Sequence, residues 1–420
     1  MEKKIKILTL GDHPLSPSGV GTQTRYVIEA LLKTGKFSVI SFGGAITHSN
    51  YQPTKTEQWG DDWTIFPVDG YGTQDQIRSV LRNERPDMLW FMTDPRFYAW
   101  LWQMEDEIRP LMPMIYYHVW DNYPYPKFNT KFYDSTDLIV TISKVTNDIC
   151  TTLCEKADVK HVAHAVNTEI FKPFTAEQKR ELREKSFADE VARNKMIFFW
   201  NNRNARRKQS GSLIFWFKEF LDRIGHDKAC LIMHTDPKDV HGQDLEAIVR
   251  QLGMDKGQVL FSVEKIAMEN LAAMYGMSDC TINISDAEGF GLATLESLAC
   301  EVPIIVNMTG GLQEQVTDGE NWFGLGIEPC SKAIIGSQEI PWIYEDRING
   351  DTLLDALELF YNSSAEDRAT MGEAGRKHVL KNYGFDFFEE EWVKILLEVH
   401  KKHGSWDTRT NYRAWRFEEV

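Results

Sequence analysis

Residues Ser285 to Pro303 read S-D-A-E-G-F-G-L-A-T-L-E-S-L-A-C-E-V-P, and their reading decides the fold. The apolar run Cys280 to Ser285 predicts a strand that ends in polar residues. Gly289 and Gly291 then let the backbone turn sharply into a helix whose Leu292, Leu295 and Ala299 fall on one apolar stripe. A helix entered in this way presents unpaired amides above the sheet edge, and such an end attracts anions. Glu288 and Glu296 flank the turn. A carboxylate beside an anion site suits sugar hydroxyls. Gly-x-Gly after a strand is common, and two Glu eight apart occur by chance in many helices. The information lies in the combination with the next strand, Pro303 to Val306, and the loop Gly310-Gly311-Leu-Gln-Glu314.

Outward from this segment, short apolar runs alternate with amphipathic stretches along the chain. The first half predicts strands at Ile5 to Leu10, Ser38 to Phe42, Thr64 to Val68, Met88 to Met92, Met114 to His118, Leu138 to Ile142 and Lys160 to His164, with a helix over Thr22 to Leu32. The second half predicts them at Met196 to Trp200, Cys230 to His234, Val259 to Ser262, Cys280 to Ser285 and Pro303 to Val306. This is the pattern of an α/β fold with parallel sheets wrapped by helices. At 420 residues the chain exceeds one growing core, so two Rossmann-like domains are expected, at 1–172 and 173–385. A charged stretch, Glu177 to Arg193, reads as a solvated linking helix. The last helix, Phe387 to Lys402, carries Phe388, Trp392, Ile395, Leu396 and Val399 at helical spacing, which predicts a docked element in a terminal segment, 386–420.

Lys plus Arg number 47 and Asp plus Glu 62, for a net charge of −15, which removes any general attraction to nucleic acid or anionic lipid. The six cysteines form no Cys-x-x-Cys pair and read as reduced thiols of a cytoplasmic protein. The apolar run before Gly11 is too short for a signal peptide core or a membrane span, so no integral membrane segment is expected. Thirteen Trp suit either stacking surfaces or aromatic cores.

Three further places carry candidate chemistry. Pro14-Leu-Ser-Pro-Ser-Gly19-Val-Gly21 follows the first strand, where it is a plain turn or a close approach for a ligand to main-chain amides. His118 ends the strand Met114 to His118, where ligands bind in open α/β sheets, although a satisfied polar residue is as common there. Ser143, at a comparable strand end, fits a helix cap. The cluster Asn201-Asn-Arg203-Asn-Ala-Arg206-Arg207-Lys208 opens the second half directly after a strand. A solvated charge run is the usual reading, but this position suits holding a diphosphate, with Arg gripping bidentately and Lys as a point charge. No Asp-x-Asp stands at a strand end with suitable partners, so no bound metal is expected.

The order of these features resembles the nucleotide-sugar-dependent retaining glycosyltransferases of GT-B fold, in the glycogen synthase and mannosyltransferase-like group. Their hallmark is Glu, seven residues, Glu, then a strand and a Gly-Gly-x-x-Glu loop. The likeness runs from about Ile7 to Tyr383 and is strongest from Leu260 to Gly324. It implies two Rossmann-like domains facing a cleft, with the last helix crossing back to the first domain. It also implies a hexosyl- or pentosyltransferase that needs no cofactor and uses a UDP- or GDP-linked sugar as donor. By resemblance Arg203 and Lys208 bind the diphosphate, Glu296 holds the ribose hydroxyls, and Glu288 contacts the transferred sugar. Amides of Phe290, Gly291 and Leu292 complete the site, Gly19 and Gly21 touch donor phosphates and acceptor, and His118 lies near the sugar. Asn202 and Gln209 stand where relatives carry Gly, and Trp120 intervenes before Asp121, so no role is transferred to that Asp.

The acceptor is left open among a glycan, a lipid-linked substrate, a small molecule and modified DNA. Its surface is expected in the aromatic stretches Tyr51 to Trp63, Asp94 to Trp102 and Trp120 to Phe128. The stretch Ser331 to Arg347 is longer than in most relatives and resembles phage-encoded members. Some of those decorate DNA bases, for which the tail Trp406 to Phe417 would be the contact. A sugar-nucleotide epimerase of the same architecture and a binding module that has lost its catalytic residues are the rival classes.

Overall fold

Strands whose residues are apolar without alternation are buried on both faces, as parallel sheets require. Every residue of Met88–Thr93 and of Ile304–Asn307 is buried. The computed structural model describes residues 3–120, 127–338 and 340–412. Met1–Ala165, Gly336–Pro341 and Asp386–Val420 cluster as one unit, and Val166–Ile335 with Trp342–Phe385 as the other. The junctions thus fall after 165 and 385, against the expected 172 and 385.

The first unit's sheet comprises β1 (Ile5–Asp12), β2 (Phe37–Gly44), β3 (Thr54–Lys55), β4 (Trp63–Pro67), β5 (Met88–Thr93), β6 (Met114–His118), β7 (Leu138–Thr141) and β8 (Asp158–His161). Their order is β3-β4-β2-β1-β5-β6-β7-β8, parallel throughout except for β3 against β4. The second unit's sheet comprises β9 (Met196–Asn201), β10 (Ala229–His234), β11 (Val259–Ser262), β12 (Cys280–Asn283), β13 (Ile304–Asn307) and β14 (Gly324–Ile327), all parallel, in the order β11-β10-β9-β12-β13-β14. A separate antiparallel hairpin, β15 (Ser331–Ile335) and β16 (Ile343–Arg347), fills the long stretch that the sequence singled out.

Several expectations need correction. The first helix begins at Gly19 because Ser18 accepts a hydrogen bond from the Gly21 N–H and caps it, so both glycines lie in its first turn and not in the preceding loop. The linking helix is two helices, Ala176–Ser186 and Glu190–Asn194, the second capped by Asp189. The strand expected at Lys160 to His164 is Asp158–His161.

The terminal helix Phe385–His403 packs in the first unit from Asp386 onward. Its Trp392 is fully buried, edge-on to Trp90 and Tyr117 with ring centroids 5.9 and 4.8 Å apart. Beyond it, Ser405 donates to Asp87 at 2.7 Å and Arg409 pairs with Asp137 at 3.0 Å. The Trp406 indole donates to the Pro86 carbonyl and stacks under Arg85. Trp406 and Arg409 are thus committed to the protein itself, and residues 413–417 of the tail proposed for DNA lie outside the described residues. Of the nine described aromatics in the stretches expected as acceptor surface, Trp63, Tyr98, Trp102 and Trp120 are buried, Trp59, Trp100 and Phe128 are half-buried, and Tyr51 and Phe97 are exposed. Asp121 and the rest of 121–126 lie outside the described residues.

Candidate active site

In the second unit the strand order reverses between β9 and β12, the point at which open α/β sheets bind ligands beyond their carboxyl ends. The loop Asn202–Lys208 leaves β9 there, and Ser285–Glu288 leaves β12. The two meet. Lys208 Nζ bonds the Glu288 carboxylate, with only 9% and 13% of the two side chains exposed. Asn283 Nδ2 also donates to Glu288 Oε2, at 3.4 Å. Burial pushes the Glu288 carboxyl up, but Lys208 and Arg207 pull it down further, to a net position below its ordinary value. The Arg207 guanidinium donates to the Ala287 carbonyl at 2.6 Å, and the Asp286 N–H donates to the Arg207 carbonyl at 2.8 Å. Arg203 is not brought into this cluster. Its Nε donates to Asp239 Oδ2 at 2.6 Å, and its side chain is 62% exposed.

Glycines explain how the turn after β12 stays tight. A Cβ on Gly310, whose φ is +50°, would sit 1.8 Å from the Glu288 carbonyl, and the Gly311 N–H donates to that same oxygen at 3.0 Å. The Gly-Gly loop thus lies directly on the Glu288 backbone. Gly291 enters the helix Leu292–Ala299 at φ +94°, with no side-chain cap. Phe290 is a core side chain, its ring 5.7 Å from Tyr383, and its carbonyl accepts from Gln315 Nε2. Leu292 is half-buried at the first helical position.

Glu296 lies on that helix and accepts a 2.9 Å hydrogen bond from the Tyr275 hydroxyl. Burial pushes its carboxyl up to about 7, against the pull of the Tyr275 bond. Asp286 is also pushed up by burial, to about 6, with Gln209 and Arg347 opposing. Arg347, from β16, bridges Asp286 and Glu345 at 2.7 Å each, and Glu345 takes both Nη atoms of Arg206. The hairpin is therefore braced on the loop that carries Glu288. Sequence reasoning missed Tyr275, Asp286 and Arg347. Only the unusual length of Ser331 to Arg347 pointed toward any of them.

In the first unit, Gly19 and Gly21 form the helix start beneath the loop after β1, and a Cβ on Gly21 would strike the Ser16 hydroxyl at 2.5 Å. Ser18 donates to Asp12 at 2.6 Å, and Asp12 accepts from the Tyr71 hydroxyl at 3.0 Å. His118 ends β6 fully buried, with Nε2 2.9 Å from the Tyr133 hydroxyl and Nδ1 unpartnered. Desolvation lowers its pKa to about 3, so the ring is neutral at physiological pH. Among the described residues, no group of three or more His, Cys, Asp or Glu is arranged to hold a metal ion. No described helix is long and apolar enough to cross a membrane.

Residues 241–378 match the family model described as Glycosyl transferases group 1. The D-inositol 3-phosphate glycosyltransferase of Arthrobacter sp. (strain FB24) is 29% identical over 157 residues, 37% of this chain and 31% of that protein. The GDP-mannose-dependent monoacylated alpha-(1-6)-phosphatidylinositol monomannoside mannosyltransferase of Corynebacterium glutamicum is 24% identical over 245 residues, 56% of this chain and 55% of that protein. The chain thus spans about a third to about half the length of these two curated relatives. Among solved structures, sucrose-phosphate synthase of Thermosynechococcus elongatus superposes with a TM-score of 0.75 at 16% identity, covering 95% of this chain and all of that one. Alr3699/HepE of Anabaena, solved with UDP and glucose, superposes with a TM-score of 0.66 at 14% identity, covering 94% of this chain and all of that one.

Proposed function

We propose that this chain, which carries a group 1 glycosyl transferase domain and the GT-B fold, moves a sugar from a nucleoside diphosphate donor to an acceptor hydroxyl with retention of configuration and without a metal. The observation that carries the reading is the Lys208–Glu288 pair at the switch point of the second sheet, with Glu296 on the helix that follows. The ion pair with Glu288 holds Lys208 in place. When a donor enters, the ammonium turns to the diphosphate, and Glu288 is left to accept from hydroxyls of the sugar. As the bond from sugar C1 to the phosphate oxygen breaks, negative charge grows on the leaving diphosphate. Arg203, Arg206, Arg207 and Lys208 are the cations of this loop. One preorganised contact of this type is worth about 2.7 to 4 kcal/mol of barrier. The acceptor oxygen bonds C1 on the face that the phosphate leaves, and its proton passes to a donor phosphate oxygen. Glu296, as carboxylate, takes the ribose hydroxyls. His118, neutral, offers a hydrogen bond and not a charge.

The Anabaena structure contains UDP and the Corynebacterium relative is named for GDP-mannose, so both nucleotides are supported as the donor class. The six free thiols fit a reducing compartment such as the cytoplasm. The test is thermal unfolding of the protein with UDP, GDP, UDP-glucose and GDP-mannose. A ligand at a hundred times its dissociation constant adds about 2.7 kcal/mol to stability, and the shift should shrink in Lys208→Ala. No shift from any of the four at millimolar concentration would sink the proposal.

A further inference from the structure

Glu296 reaches its place through a chain of three side chains from three elements. Asn201, the last residue of β9, donates from Nδ2 to the Tyr275 hydroxyl at 2.9 Å, and that hydroxyl donates to Glu296 Oε2 at 2.9 Å. Tyr275 sits on the helix Met268–Met277, with no exposed surface. Its ring is wedged edge-on between Phe199 at 5.0 Å and Phe171 at 6.1 Å. A hydroxyl oxygen that accepts a hydrogen bond from an amide N–H has its own proton directed elsewhere, here to the carboxylate. The ring cannot move, so the donor direction is fixed. No other protein group among the described residues bonds the carboxylate, which leaves Oε1 and one lone pair of Oε2 for a ligand. That is the acceptor pattern for two adjacent hydroxyls.

We propose that Tyr275, held by Asn201, is a positioning residue that sets the Glu296 carboxylate to accept a vicinal diol, and thereby gives the site its preference for a ribonucleotide. This rests on the reading of the donor as a nucleoside diphosphate sugar. Tyr275 itself touches no ligand. Its hydroxyl stops the carboxylate from rotating and favours the charged form that a diol requires. Asn201 also directly precedes the loop that leads to Lys208, so one hydrogen-bonded chain registers the hydroxyl-binding and cation-bearing parts of the site with each other.

The experiment measures dissociation constants by calorimetry for UDP and GDP and for their 2′,3′-dideoxy analogues, with wild type, Tyr275→Phe and Glu296→Gln. Hydrogen bonds to a charged group make wild type prefer the ribonucleotide by about ten- to a hundredfold. In Tyr275→Phe that ratio should fall by about three- to tenfold, while the dideoxy analogue keeps its wild-type affinity within about twofold. A structural role alone would weaken both ligands together. An unchanged ratio, or equal weakening of both ligands, overturns the inference. Asn201→Ala, which keeps the ring but frees its hydroxyl to rotate, should lower the ratio in the same sense. It stands in if Tyr275→Phe fails to fold, and an unchanged ratio there also overturns the inference. Failure of the underlying reading looks different: wild type then binds neither nucleotide, or binds ribo and dideoxy forms alike.

Discussion

Replacing Glu296 with Gln should make the stability of the second unit less dependent on pH. Burial holds this carboxyl at about 7 against an ordinary 4.5. The difference is 2.5 pK units, and at 1.36 kcal/mol per unit it is on the order of 3 kcal/mol. Because the folded pKa is the higher one, the sign is fixed. Below pH 4.5 both states hold the proton and the group costs nothing. Between pH 4.5 and 7 the unfolded chain gives up its proton first, so stability falls as pH rises. Above pH 7 the full cost is present and constant. Gln has the shape of the neutral acid and does not titrate. Wild type and Glu296→Gln should therefore unfold at nearly the same temperature at pH 4.5. At pH 8 the variant should be the more stable by roughly 6 to 12 °C, taking about 2–4 °C per kcal/mol for a unit of this size. Scanning calorimetry of the ligand-free protein across this range makes the comparison. A gap that does not change with pH, or a wild type that is the more stable at pH 8, would refute the claim that Glu296 is a desolvated carboxylate.

Lys208→Ala should cost about 3–5 kcal/mol because it leaves the Glu288 carboxylate buried without its ammonium. The double variant with Glu288→Gln should cost less than the sum of the single changes, as a denaturation double-mutant cycle would read. Gly310→Ala should cost about 1–3 kcal/mol and abolish nucleotide-induced stabilisation, since its Cβ would fall 1.8 Å from the Glu288 carbonyl. Gly319→Ala, with φ +96° but open space around it, is the control that should leave nucleotide binding intact.

The sheets were legible because their strands are buried on both faces and so read as unbroken apolar runs. Ends were harder to read. The strand expected to reach Ser285 stops at Asn283 because the Ser285 hydroxyl and N–H both bond Asn283 Oδ1 and turn the chain. The start of the first helix has its signal in Ser18, a capping residue that stands beside the more conspicuous glycines. In the site, Lys208, Glu288 and Glu296 could be named because each stands at a fixed offset from a strand end. Tyr275 could not. Tyr275 lies on an apolar helix like any core aromatic, and only the fold aims its hydroxyl at a residue 21 positions away. The hairpin hid for a different reason: β16 carries Glu345, Asp346 and Arg347, charges that suggest a loop until each finds its partner.

The return of residues 386–412 to the first unit makes the order of synthesis differ from the order of completion. A chain emerging from the ribosome has all of β1 to β8 before any of the second sheet, yet Trp90 and Tyr117 stay uncovered until Trp392 arrives. The later-made unit needs nothing beyond Phe385 and can finish first. A nascent chain stalled near residue 385 would thus present a completed second unit and an open apolar seam on the older one, a substrate for chaperones that the finished protein no longer offers.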